Sequence, residues 1–80
     1  MKIPAIKHLV ETQPLQALVA AEEAILEEQT LPFAVPGEDE GEQLTHVLAA
    51  IFILNHMQDH QLEFKEALRE YTKKVRVSIS

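Results

Sequence analysis

The chain has no cysteine and no tryptophan, and its eighty residues include only two glycines, four prolines, three phenylalanines and one tyrosine. Without cysteine there are no disulfides, thiolate metal sites, cysteine nucleophiles or redox-active thiols. With glycine only at Gly37 and Gly41, no glycine-rich phosphate loop is available. The only serines, Ser78 and Ser80, lie in the C-terminal tail. Thr12, Thr30 and Thr45 suit caps or surface positions. Nucleophilic catalysis therefore finds little to use, and the sequence points away from an enzyme.

Long apolar runs are also missing. The longest stretch without Asp, Glu, Lys or Arg, Gln43 to Gln58, contains His46, Asn55 and His56 and is too short to span a bilayer comfortably. Met1 to Val10 carries Lys2, Lys7 and His8 among its apolar residues, so it has no uninterrupted signal-peptide core, and a cytoplasmic location is expected. Internal repeats and low-complexity segments are absent.

What is present is acidic and ordinary in its apolar content. Hydrophobic residues make up 46% of the chain and charged residues 25%, which suits one globular domain over residues 1–80 rather than a disordered chain. A core this small supplies a net stability of about 3–5 kcal/mol. The net charge is −6. Residues 22–42 hold eight acids and no base, whereas from Asp59 onward four acids face five bases. No basic stripe exists, so neither nucleic acid nor an anionic membrane surface is an expected partner.

Hydrophobic spacing predicts an all-α domain, a small helical bundle of one short and three longer helices. Pro4 suits the first turn of a short helix over 4–11, where its missing N–H costs nothing. Thr12 or Gln13 is placed to cap a second helix, with Pro14 in its first turn. Leu15, Leu18, Val19, Ile25 and Leu26 form its 3.6-period stripe, over about 14–29. Residues 30–37 contain Pro32, Pro36 and Gly37 and cannot be regular helix. The alternation of Leu31, Phe33 and Val35 predicts an extended strap laid across the helices. Asp39 and Glu42 have the spacing of an acidic capping box for the third helix.

Leu44, Val47, Leu48 and Ile51 form the primary stripe of that helix, and Ala49, Ala50, Ile53 and Met57 form a second face. A helix apolar almost all round is buried on more than one side, as a central helix or at an oligomer interface. The stripe Phe64, Ala67, Leu68, Tyr71 and Val75 sits roughly 150° from the Leu44–Ile51 stripe. A break within 55–61 would restore a common core, leaving a last helix over about 61–75. The alternating tail 75–80 is either a short strand pairing with 31–35 or a frayed helix end.

Several residues carry chemistry. Glu22 lies on the apolar stripe of the second helix. It is either a ligand or tuned acid, partly buried against Tyr71, Arg69 or a histidine, or a stripe-edge glutamate reaching water. His56 and His60 are spaced i, i+4, as are Glu42 and His46, so Glu22, Glu42, His46, His56 and His60 are the candidate ligands of a carboxylate/histidine metal site. The tighter Glu-x-x-His pattern of di-iron bundles fails, because position 43 is Gln43. Glu38, Asp39, Glu40 and Glu42 lack the alternating oxygen ligands of a calcium loop and read as helix capping. The apolar belt of the third helix is the strongest functional signal, since surplus apolar faces of small chains tend to be interfaces. Leu44, Val47, Ile51, Phe52, Ile53 and Met57 are its candidate interface residues, with a two-fold homodimer the simplest use.

The segments Met1-Lys2-Ile3-Pro4, His8-Leu9-Val10-Glu11 and Ala21-Glu22-Glu23-Ala24 lead into the string from Gly37 to Ile51, GEDEGEQLTHVLAAI, and Phe64 to Tyr71, FKEALREY, follows. Together they resemble a family of small uncharacterised Bacteroidetes proteins of this length, over nearly the whole chain. The resemblance implies no catalytic or ligand role and no cofactor. It implies at most a redox-related protein partner, through an association of such proteins with genes for thioredoxin-like proteins and peroxiredoxins. The expected function is a non-enzymatic protein–protein interaction module, homodimeric in its simplest form. A small metal-binding helical bundle is the alternative.

Overall fold

The computed structural model describes residues 2–79, with side chains through residue 75. Four helices and no strand form among the described residues: α1 (Ile3–Thr12), α2 (Leu15–Leu26), α3 (Glu40–His60) and α4 (Phe64–Ile79). The all-α expectation holds.

Each boundary has a local cause. Pro4 sits in the first turn of α1. That helix stops because Gln13 precedes Pro14 and is driven to an extended conformation, φ −120° and ψ 135°. Pro14 itself occupies the cap position of α2, and no side chain caps that helix. The hydroxyl of Thr12, expected as a cap, instead donates back to the carbonyl of His8 at 2.7 Å.

Helix α2 ends at Leu26, three residues short of the expected 29. Glu28 takes a left-handed φ of 57°. Its N–H reaches the Ile25 carbonyl (3.2 Å) and that of Gln29 reaches the Ala24 carbonyl (2.8 Å). This is a Schellman closure made without glycine. Gln61 ends α3 in the same way, with φ 55°. The break therefore falls inside the expected 55–61 window, at a glutamine. The last helix then starts at Phe64, later than expected, and its backbone stays helical to Ile79. Hence no strand forms over 75–79, and the final residue of that expectation, position 80, lies outside the described residues.

Helix α3 is the hub and packs against α1, α2 and α4. The core joins Ile6 and Leu9 of α1, Leu18, Ala21 and Ile25 of α2, Val47, Ala49, Ala50 and Ile53 of α3, and Ala67 of α4. The strap lies across the helices as expected: Val35 is buried, and Leu31 and Phe33 pack half-buried against the core. The molecule measures 32 × 28 × 19 Å. Its thinnest dimension is less than two helix diameters of about 10–12 Å, so α3 is flanked rather than enclosed.

Candidate functional site

Three regions of α3 carry groups that the packing leaves with something to explain. The first is its N-terminal turn. Asp39 caps the helix, its carboxylate accepting the Glu42 N–H at 2.8 Å. The reciprocal arm of the expected capping box is displaced by one residue: the Glu42 carboxylate accepts the Glu38 N–H at 2.8 Å, not that of Asp39. Beneath this turn Gly37 has φ 149°, and a Cβ there would lie 2.8 Å from the backbone nitrogen of Gln43. Only glycine permits so close an approach. The Gln43 amide donates to the Val35 carbonyl at 3.1 Å and fastens the strap to α3.

The second region is His46, which has 0% exposure. Its Nε2 accepts the backbone N–H of Lys2 at 2.9 Å. Its Nδ1 lies 2.8 Å from the carbonyl oxygen of Pro36. A backbone N–H can only donate and a carbonyl can only accept, so the proton sits on Nδ1 and the ring is neutral. One imidazole thus ties together the start of α1, the strap and α3. Both of its nitrogens are committed, which removes it from the candidate metal ligands.

The third region is the C-terminal half of α3. Phe52, His56 and His60 follow at i, i+4 and i+8 and form a row of rings. Phe52 stacks on His56 with centroids 5.6 Å apart, and His56 meets His60 at 4.5 Å. Tyr71 of α4 packs against Phe52 at 5.3 Å, and the Lys74 ammonium lies 5.0 Å above the same ring. Burial raises the pKa of the Tyr71 phenol above its ordinary value, because the phenolate would lose water.

The other candidates are placed as follows. Glu22 is half-buried on the edge of α2 and makes no hydrogen bond or ion pair among the described residues, so the pairing with Tyr71, Arg69 or a histidine does not form. Glu42 is engaged at the helix cap. No group of three or more His, Asp or Glu side chains able to hold a metal forms among the described residues. The five candidate ligands therefore do not converge; only His56 and His60 meet.

Of the candidate interface residues, Val47 and Ile53 are wholly inside the core and present no surface. Leu44, Ile51, Phe52 and Met57 are half-buried. A substitution such as Ile53→Glu would report on folding rather than on association. The residue left outside is Leu48, 43% exposed. It lies between Leu44 and Ile51 on the side of α3 opposite Ile53. Val19 and Leu26, seven residues apart on α2, are also exposed.

A recess between the end of α2, the strap and the start of α3 has a volume of about 150 Å³ and is lined by residues including Ile25, Glu28, Leu31 and Gln43. That is below the range of about 300–1,000 Å³ for small-molecule sites. No helix among the described residues is long and apolar enough to cross a membrane.

These features define a small all-helical fold with one central helix, a strap locked by a buried histidine, and Leu48 exposed on the outer face of that helix. The chain belongs to DUF6952, a family of unknown function, whose match spans residues 1–80. No curated protein and no solved structure matches it.

Proposed function

We propose that the chain is a non-enzymatic interaction module that associates with a second copy of itself through the outer face of α3. The observation that carries this reading is the exposure of Leu48, flanked at helical spacing by the half-buried Leu44 and Ile51. Leu44 and Ile51 pack partly against the core, and Leu48 between them is left 43% exposed. A two-fold pairing would lay this face against its own copy and remove these leucine and isoleucine side chains from water, at about 25 cal/mol per Å² of apolar area.

Leu48→Glu is the direct test, because the position is 43% exposed and lies outside the core. Sedimentation equilibrium of the untagged chain should give a dimer, and the variant a folded monomer with unchanged helical circular dichroism. A wild-type monomer at hundreds of micromolar, or a variant that dimerises as well as wild type, would defeat the reading.

A further inference from the structure

We propose that His56 and His60 form a two-histidine chelate for a late first-row divalent cation on the C-terminal turn of α3. This goes beyond the interaction reading and does not depend on it. The sequence places a helix break within 55–61, which would separate the pair. In the structure α3 runs unbroken through His60, so both residues stand on one face, one turn apart. Their ring centroids are 4.5 Å apart with the planes inclined at 56°. A metal about 2.1 Å from one nitrogen of each ring, with the two bonds near a right angle, sets the centroids about 4.5 Å apart. The 4.5 Å separation of the free rings is compatible with such a right-angle, copper-type chelate.

The four histidines divide by their partners. His46 has both nitrogens bound to backbone groups. His8 is alone and exposed on α1. His56 and His60 make no hydrogen bond among the described residues, so their nitrogens remain open to a ligand. His60 is exposed and His56 half-buried, its ring held by the stack on Phe52. That stack fixes one ligand while the other stays accessible. The pair also sits where the unpaired carbonyls of the last helical turn favour a cation. The remaining coordination positions are left to water or an external ligand. Imidazole donors suit copper, nickel and zinc, with Cu²⁺ bound most tightly.

The test is titration of untagged chain with Cu²⁺, followed by calorimetry and by fluorescence of Tyr71, the single tyrosine in a chain without tryptophan. Wild type should bind one ion per chain, with Zn²⁺ weaker in the same site. His60→Gln should weaken Cu²⁺ at least tenfold while leaving the helical spectrum unchanged, and His56→Gln should do the same. His8→Gln should bind as wild type does. Wild-type affinity in His60→Gln, or equal weakening in His8→Gln, would overturn the site.

Discussion

Replacing His46 by alanine should bring the domain close to its unfolding midpoint. The side chain is fully buried and makes two hydrogen bonds to backbone groups far apart in sequence, at Lys2 and Pro36. Each bond contributes about 0.5–1.5 kcal/mol net. Truncating a large buried side chain to alanine costs about 2–5 kcal/mol through lost contacts and the void left behind. The two losses add to about 3–8 kcal/mol, and the lower end alone, about 3 kcal/mol, matches a total of about 3–5 kcal/mol for a core of this size. With a urea m-value of about 1 kcal/mol/M, the midpoint should fall by about 3 M.

A graded series separates volume from hydrogen bonding. His46→Asn can keep a donor near the Pro36 carbonyl, and His46→Gln an acceptor near the Lys2 N–H. Each should lose about 1–2 kcal/mol. His46→Phe fills the space but leaves both backbone groups without partners, and should be less stable than either amide. Urea unfolding followed by far-ultraviolet circular dichroism measures all four. Hydrogen exchange adds a local reading, since the Lys2 amide precedes the first helical turn and His46 is its partner. If His46→Phe is as stable as wild type, or the alanine variant shifts by less than about 0.5 M, the histidine does not hold the strap and α1 to the hub.

Two further outcomes are expected. Gly37→Ala places a methyl 2.8 Å from both the backbone nitrogen and the Cγ of Gln43, at a φ of 149° that L-residues avoid. It should cost about 2 kcal/mol and lower Tm by about 10 °C, and an unchanged melting curve would contradict the close approach. Tyr71 has its pKa raised from 10.0 by burial, so the folded state keeps the phenol proton at a pH where the unfolded chain releases it. Its contribution is complete below that value and is lost as pH rises through the folded-state value. Tyr71→Phe should therefore lose less stability than wild type between about pH 9 and pH 11, and identical alkaline slopes would refute the assignment.

Much of the local structure was legible because single residues dictate it. Pro4, the Gln13-Pro14 step, the Asp39 cap and the proline-bounded strap act through backbone sterics and unpaired N–H groups, which need no tertiary context. The left-handed ends at Glu28 and Gln61 were not legible, because neither residue type favours that conformation. The burial of His46 did leave a signal. Positions 46, 49, 50, 53 and 57 follow the spacing i, i+3, i+4, i+7, i+11, so the histidine continues the second apolar face by one turn.

That second face is the real core of α3, and the consequence reaches the break at Gln61. The Leu44–Ile51 stripe, read as primary, buries Val47 but leaves Leu48 43% exposed, whereas Ala49, Ala50 and Ile53 of the second face are all fully buried. Taken at about 100° per residue, the Phe64–Val75 stripe lies in phase with the buried face rather than opposed to it. A continuous helix would have kept one long apolar side. The chain turns at Gln61 for another reason: a straight helix would leave that side exposed along its whole C-terminal half. Folding back lets α4 cover α3, bringing Tyr71 onto Phe52 and Ala67 into the core. The same doubling back leaves Leu48 exposed on the outer face of α3 and the His56–His60 pair standing at the turn. Both functional proposals thus follow from one topological choice, and each can fail without the other.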